Sequence, residues 1–316
     1  MGAAFFYNPM TDQLSGYFEL FAAFPAAFIV ACGLLGLLVG SFLNVVIHRV
    51  PIMMDNELRA ECVALSVADG AVQEIPTAPA YNIVTPRSAC PRCKAPITAL
   101  QNIPVVSWLA LRGKCASCKN PISARYPLVE LATGALSAFI AWRYGVGLQA
   151  MAALLFTWLL IALTMIDFDT QYLPDSLTYP LLWLGLIVSL WHPAWGATGS
   201  PVGPRESIIG AVAGYLSLWS VYWVFKLVTG KEGMGYGDFK LLAGLGAWMG
   251  ATMLLPIIIF ASGVGALFGI VIMIRQRKGR ETQIAFGPFL AIAGWIALVA
   301  GNDIVTHYLA LFARHP

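Results

Sequence analysis

Charged residues are scarce in this sequence. Lys, Arg, Asp and Glu together make up 11% of the 316 residues, whereas hydrophobic residues make up 59%. This composition excludes a soluble globular protein, a disordered chain and a coiled coil, because each of these needs more charge or less apolar surface. A net charge of +3 is also too small to indicate binding to nucleic acid. The composition instead predicts an all-α polytopic membrane protein.

Basic residues are missing from the start of the chain, and cysteines are few throughout. No Lys or Arg precedes Arg49, so the basic region of a cleavable secretory signal is lacking, and we expect the first apolar segment to be retained. Six cysteines in 316 residues are too sparse for a disulfide scaffold, and four of them form two Cys-x-x-Cys pairs. Cysteines in this pattern are candidate metal ligands.

Apolar segments recur along the chain. A bilayer core of about 30 Å needs about 20 residues of helix, so the pattern predicts about eight transmembrane helices. The segments lie at residues 18–46, 127–143, 148–166, 177–191, 208–228, 241–250, 251–274 and 285–300. The segment at 241–250 is short, and joining it to its neighbour gives an alternative with seven spans.

Positive charge is distributed unevenly between the two sides of this topology. If the N-terminus lies outside, sixteen of the 19 Lys and Arg residues fall in cytoplasmic loops, as the positive-inside rule requires. We therefore expect an N-terminal segment with the first helix at residues 1–47, a cytoplasmic loop domain at 48–126, and a transmembrane domain at 127–316.

The large loop carries the two Cys-x-x-Cys pairs, Cys90 with Cys93 and Cys115 with Cys118. Four thiolates in this pattern are typical of a tetrahedral zinc site, and four Cys ligands leave no open position for a catalytic water. Two disulfides are the alternative, which a reducing cytoplasm disfavours. The loop is thus predicted to be a small module that binds a structural zinc ion between the first and second transmembrane helices.

Acidic residues cluster at two places on the same predicted membrane face. Asp167, Asp169 and Asp175 fall in one short loop, and Asp238 lies where a later loop meets the next apolar segment. Asp167 ends an apolar helix, where a carboxylate is disfavoured, so it indicates function rather than helix stability. Two carboxyls that share a proton activate water and protonate a carbonyl, which is aspartyl peptidase chemistry. Helix capping is the alternative for Asp175 and Asp238, and a solvated loop position is the alternative for Asp169.

Glycines at 233, 235 and 237 precede Asp238. They permit a strained or mobile backbone, which suits a site that must admit an extended peptide.

Several motifs occur in a shared order along nearly the whole chain. They are Gly40-Ser-Phe-Leu-Asn-Val-Val-Ile-His-Arg-Val-Pro51, Pro86-Arg-Ser-Ala-Cys-Pro-Arg-Cys93, Asn102-Ile-Pro-Val-Val-Ser107, Gly113-Lys-Cys-Ala-Ser-Cys118, Ile122-Ser-Ala-Arg-Tyr-Pro-Leu-Val-Glu130, residues 167–175, and Gly235-Tyr-Gly-Asp238. In these motifs the chain resembles the type IV prepilin peptidases, bifunctional aspartyl proteases of the GxGD type in the bacterial inner membrane. Those enzymes cleave the leader peptides of prepilins and N-methylate the new N-terminus.

The resemblance implies a function for the residues of these motifs. Asp167 and Asp238 would be the catalytic pair. The resemblance leaves the roles of Asp169 and Asp175 open, and these two residues, Gly235 and Gly237 are the accessory candidates. The four paired cysteines would bind zinc, and S-adenosylmethionine would donate the methyl group. The implied partners are type IV prepilins, type II secretion pseudopilins and membrane lipid. The family pattern has Gly after the first Cys-x-x-Cys pair, whereas this chain has Lys94.

Two other functions fit part of the pattern. A proton-coupled transporter would use Asp167 and Asp238 as proton carriers, although both lie at one face rather than near the bilayer midplane. A zinc-dependent membrane protease would use the metal instead. No Rossmann-type nucleotide fingerprint is found in the sequence, so no residues are assigned to the methyl donor.

Overall fold

The fold is built from helices and contains no β-strand in the part of the chain that the computed structural model describes, which comprises residue 19 and residues 21–68, 81–191, 202–276 and 285–313. From Pro25 onward, these residues form nine α-helices and two short 3-10 turns. The helices are α1 Pro25–Ala68, α2 Val106–Ala110, α3 Arg125–Tyr144, α4 Leu148–Thr170, α5 Asp175–Trp191, α6 Pro204–Thr229, α7 Tyr236–Met249, α8 Leu254–Gln276 and α9 Gly287–Ala313.

Each of the eight apolar segments that the sequence indicates coincides with a helix, namely α1 and α3–α9. The spans Pro25–Ser66, Leu148–Thr170, Pro204–Thr229 and Ala251–Ile274 are long and apolar enough to cross a bilayer, and shorter apolar stretches occupy α5 and α9. The expected class, an all-α polytopic membrane protein, is confirmed.

Helix α1 is longer than the sequence suggests. It continues past residue 47 and through Pro51 to Ala68, so the first part of the predicted loop domain is helix rather than loop. Pro51 removes one backbone hydrogen bond, but good helix formers such as Glu, Leu, Arg and Ala follow it. An ion pair of 2.8 Å between Asp55 and Arg59, one helical turn apart, adds weak support on the exposed surface.

Helix α7 differs from the other helices because it is short and enclosed by protein. Its 14 residues span about 21 Å at 1.5 Å per residue, which is less than a bilayer core, yet every residue from Leu241 to Met249 is buried. The chain then turns at Gly250, which has a φ of 74°, so α7 and α8 are separate helices. Helix α7 is therefore the core of this part of the fold.

The helices pack into two compact units. The first unit is built around α3 together with the start of α1 and of α4. In it, Glu130 accepts a hydrogen bond of 2.7 Å from the backbone N–H of Val105, and Trp158 donates one of 2.9 Å to the Ser137 hydroxyl. The second unit includes the end of α4 and helices α5–α9. All of the aspartates singled out above lie in this second unit.

Candidate active site and metal centre

The first Cys-x-x-Cys pair lies in a tight turn closed by its own backbone. The N–H of Cys90 donates to the carbonyl of Ala95 at 3.0 Å, and the N–H of Lys94 donates to the carbonyl of Cys90 at 2.9 Å. A short antiparallel bridge between Ala89 and Pro96 flanks the turn. This local structure is the kind of turn that zinc knuckles use to present two thiolates to one ion.

The second pair repeats the same turn. The N–H of Cys115 donates to the carbonyl of Asn120 at 2.8 Å, the N–H of Lys119 donates to the carbonyl of Cys115 at 3.0 Å, and a bridge joins Lys114 to Pro121. Two copies of one local structure thus carry the four thiols.

The four sulfur atoms of these turns lie within 4.8 Å of one another. Tetrahedral zinc with Zn–S bonds of about 2.3 Å separates its sulfurs by about 3.8 Å, so the cluster needs only a small contraction to close around an ion. All six cysteines fall within the described residues, and none of them forms a disulfide. The donor set therefore fits a metal ion held by Cys90, Cys93, Cys115 and Cys118.

The backbone of the turns explains how Lys94 can occupy a position where the family pattern that this chain resembles has glycine. Lys94 has a φ of 58°, and Lys119, at the equivalent position of the second turn, has a φ of 59°. This left-handed conformation favours glycine, although other residues adopt it at a cost of about 1–2 kcal/mol. Lys94 takes the backbone conformation in which glycine is favoured, and the ligand positions are preserved.

A buried arginine holds the segment that leads into the first turn. Arg49 of α1 is only 7% exposed, and its guanidinium donates to the carbonyls of Asn82 at 2.8 Å and Pro86 at 2.5 Å. It also lies 5.7 Å from the centroid of the Tyr81 ring. Sequence reasoning does not single out Arg49, because a buried arginine bonded to carbonyls leaves no local signal.

Asp167 lies in the last turn of α4 and is 4% exposed. Its carboxyl accepts a hydrogen bond from the backbone N–H of Gly287, the first residue of α9, whose N-terminal end favours a negative charge. The other oxygen, Oδ2, is buried and has no hydrogen-bond partner among the described residues. A buried, unsatisfied carboxylate oxygen is rare in a purely structural role.

Asp238 lies in the first turn of α7 and is 7% exposed. Gly235 is the N-cap of this helix, and its backbone N–H donates to the Asp238 carboxyl, as in a capping box. The next residue, Phe239, is fully buried and packs on Tyr222 and Tyr236 with ring centroids 5.7 and 5.4 Å apart. Asp238 can therefore cap its helix and also serve in catalysis.

Asp167 and Asp238 lie in the same part of the fold although 70 residues separate them in the chain. Asp167 lies close enough to Asp238 for its charge to act on that group. Leu173, between α4 and α5, packs against both halves of the site. A Cβ on Gly237 would lie 2.7 Å from the Leu173 Cβ, and a Cβ on Gly287 would lie 2.5 Å from Asp167 Oδ2. Neither position has room for a side chain, so Gly287 lets the start of α9 approach Asp167 and Gly237 lets the start of α7 approach Leu173.

Gly287 and Leu173 are site residues that sequence reasoning misses. The sequence Gly287-Pro288 signals a helix start, but nothing local shows that this helix starts against Asp167.

The accessory candidates occupy different positions. Asp169 is exposed in the last turn of α4, so both it and Asp167 lie in a helix and not in the predicted loop, because α4 extends to Thr170. Asp175 is the first residue of α5 and forms an ion pair of 2.6 Å with Lys240. Gly235 has a φ of −81°, a conformation that any residue adopts, so the strain expected there is absent.

The loop before Asp238 is fixed by a second ion pair. Lys226, near the end of α6, lies 2.8 Å from Glu232. The hydrogen bond from the Lys226 ammonium holds the pKa of the exposed Glu232 carboxyl below its usual range. The pair ties the glycine-rich loop to the helix that precedes it.

Two buried carboxyls at helix ends, close enough for the charge of one to act on the other, are typical of intramembrane aspartyl peptidases when they occur in a polytopic membrane protein. Comparison with known proteins narrows this class. Residues 34–144 match the bacterial peptidase A24 N-terminal domain, and residues 154–270 match the type IV leader peptidase family. The chain belongs to the type IV leader peptidase family.

Curated relatives of the chain share one name, prepilin leader peptidase/N-methyltransferase. The relative from Pseudomonas aeruginosa is 55% identical over 302 residues, which cover 95% of this chain and 98% of the relative. The relative from Stutzerimonas stutzeri is 53% identical over 299 residues, covering 94% and 98%, and that from Neisseria gonorrhoeae is 49% identical over 285 residues, covering 89% and 93%. No solved structure matches the chain at a significant level.

Proposed function

We propose that this protein is a membrane aspartyl endopeptidase that cleaves the leader peptides of type IV prepilins and then N-methylates the new N-terminal residue. The observation that carries this proposal is the meeting of two buried carboxyls, Asp167 and Asp238, within one unit of a member of the leader peptidase family. The names of the relatives support the substrate and the second activity. The transporter alternative gains no support from this family.

The geometry supports a reaction in which the two aspartates share one proton. The ionised carboxyl takes a proton from a water molecule, the water oxygen attacks the scissile carbonyl carbon, and the other carboxyl protonates the carbonyl oxygen. Collapse of the tetrahedral intermediate breaks the C–N bond, and a proton passes to the leaving amine. Asp167 Oδ2, buried and without a partner among the described residues, is available to the attacking water.

The placement of the site suits a substrate that is partly in the membrane. We propose that the protein lies in the bacterial inner membrane with its N-terminus outside and its thiol cluster and aspartates on the cytoplasmic side. The sixteen basic residues of the cytoplasmic loops support this orientation. A prepilin or a type II secretion pseudopilin would then keep its basic leader in the cytoplasm and its apolar helix in lipid, with the scissile bond between them.

The division of the chain into residues 1–47, 48–126 and 127–316 is part of the same proposal. In it, the middle segment binds zinc through its four cysteines, and the last segment carries both catalytic aspartates. The zinc is structural, because four Cys ligands close its coordination sphere. When bound, S-adenosylmethionine supplies the methyl group that the new α-amine accepts.

The proposal is tested by mass spectrometry of a prepilin-like substrate incubated with the purified full chain and S-adenosylmethionine. Wild-type protein is expected to release the leader and to add the mass of a single methyl group to the mature fragment. Asp167→Ala and Asp238→Ala are each expected to leave the substrate intact. Substrate left intact by folded wild-type protein would refute the peptidase, and cleavage without added mass would refute the methyl transfer.

A further inference from the structure

Asp175 is the accessory aspartate with a defined partner. Its Oδ1 lies 2.6 Å from the Nζ of Lys240, and the same ammonium lies 5.3 Å from the centroid of the Tyr179 ring, one helical turn further along α5. The Lys240 side chain is 24% exposed and the Asp175 side chain 44%. This is a half-buried ion pair between two helices, and an aromatic face assists it.

The pair links two elements that carry the active site. Lys240 lies two residues after Asp238 in the first turns of α7, and Asp175 begins α5 directly after the segment that contains Leu173. Leu173 in turn packs against Gly237 and Gly287, and Gly287 contacts Asp167. A bond between Lys240 and Asp175 therefore fixes the start of α7 relative to the segment that follows Asp167.

The same two helices are joined a second time, far from the aspartates. The indole N–H of Trp248, at the other end of α7, donates to the carbonyl of Leu181 at 2.8 Å. The helices are in close contact along this interface, because a Cβ on Gly244 would lie 3.1 Å from Leu181 and one on Gly185 would lie 2.6 Å from Trp248. The register of α7 on α5 is thus set at both ends, and only one end adjoins the reacting groups.

We infer that Asp175 is a positioning residue: through its ion pair with Lys240 it holds Asp238 in place opposite Asp167, and it takes no part in proton transfer itself. This inference rests on the proposed peptidase function. A displacement of about 1 Å in a reacting group lowers catalysis by as much as about a hundredfold, so a single inter-helix bond next to Asp238 is sufficient to control the rate.

A double-mutant cycle tests the inference. Cleavage of a prepilin-like substrate is measured with the full chain as wild type, Asp175→Asn, Lys240→Gln and the double variant. Each single variant is expected to lower kcat by about tenfold while KM stays within about twofold, and the double variant is expected to be no slower than the single variants. Lys240→Arg, which can still bind a carboxylate, is expected to retain most of the activity.

Trp248→Phe serves as the matched control. It removes the hydrogen bond at the far end of the same interface and keeps an aromatic ring there. Because Trp248 is buried, we expect this variant to lower the thermal unfolding temperature at least as much as Lys240→Gln does, and to leave kcat unchanged, since that end does not adjoin Asp238.

Three results would overturn the inference. Asp175→Asn would abolish cleavage completely, as Asp167→Ala does, if Asp175 were a catalytic acid or base. The losses in the double variant would multiply if the two side chains acted independently. An unchanged kcat with a lowered unfolding temperature in Asp175→Asn and Lys240→Gln would show that the ion pair has only a structural role. Wild-type protein that does not cleave would instead refute the proposed function, and the inference with it.

Discussion

The metal centre and the aspartate site are held together in opposite ways. Each half of the metal centre is a single turn, closed by backbone hydrogen bonds between residues no more than five positions apart. The aspartate site draws Asp167, Leu173, Asp238 and Gly287 from three helices and a connecting segment, and it depends on glycines that leave no room for a side chain. We therefore expect the thiol cluster to depend on a bound ion for its stability, whereas the aspartate site depends on helix packing.

This difference makes the two regions separable by experiment. Changes that remove the ion should affect the metal-binding turns, and changes that add a methyl group at a helix contact should affect the aspartates. Loss of the ion should therefore leave the aspartate site unaffected, and an added methyl group at a helix contact should leave the metal-binding turns unaffected.

Loss of the metal is expected to have the largest effect. Apparent zinc-binding free energies of about 10–16 kcal/mol supply the folding free energy of small thiolate modules, so Cys115→Ser should release the ion and make residues 81–125 sensitive to protease. Zinc content and limited proteolysis of the purified protein measure both. Cys62→Ser is the control, because Cys62 is exposed and lies outside the thiol cluster. A Cys115→Ser protein that kept its zinc and its protease resistance would contradict a four-thiol site.

Gly287→Ala is expected to slow cleavage by about a hundredfold, because the added Cβ meets Asp167 Oδ2 at 2.5 Å and must displace it. The rate of leader release from a prepilin-like substrate measures this. Gly263→Ala is the matched change in α8, where nothing lies within 4 Å of the added Cβ, and it should cleave as the wild type does. Equal rates for the two variants would show that α9 does not support Asp167.

The two glycines of the Gly235-Tyr-Gly-Asp238 motif should differ in their sensitivity. Gly237→Ala places a Cβ 2.7 Å from the Leu173 Cβ, whereas Gly235→Ala meets nothing within 4 Å. Overpacking of this kind costs about 1–3 kcal/mol, so Gly237→Ala should lose more thermal stability and more activity than Gly235→Ala. The reverse order would mean that the flexibility of Gly235, and not the packing of Gly237, is what the motif requires.

Lys94→Gly is expected to have the smallest effect of these changes, and it should stabilise the metal-binding turn. Relief of the left-handed conformation at φ 58° is worth about 1–2 kcal/mol, partly offset by the greater backbone entropy of glycine in the unfolded chain. Resistance of zinc to a competing chelator should increase slightly, and cleavage should not change.

The control for Lys94→Gly is Arg92→Gly. Arg92 is a basic residue of the same turn, but its φ is not positive, so this change relieves no strain and the hold on zinc should not improve. A weaker hold on zinc in Lys94→Gly would show that the lysine charge outweighs the strain.

Local patterns predict more of the molecule than long-range contacts do. The eight apolar segments and the four clustered cysteines are evident in the sequence because each pattern lies within a single helix or turn. The length of α1 is missed because the apolar run ends near Val46, whereas the helix continues through the polar residues that follow. The sequence also predicts that Asp167 and Asp238 belong to one site, because both lie on the same predicted face of the membrane. Gly287 and Leu173 are not found, because their importance comes from contacts between helices distant in sequence.

We propose that the carboxyls perform the chemistry and that the thiol cluster only supports the fold. The most direct test is to measure cleavage and bound zinc in the same preparation of Asp167→Asn. The substitution keeps the shape of the side chain and removes its charge. We predict no cleavage and the same zinc content as the wild type. Cleavage at the wild-type rate would refute the aspartyl mechanism, and loss of cleavage together with loss of zinc would refute the separation of the two regions.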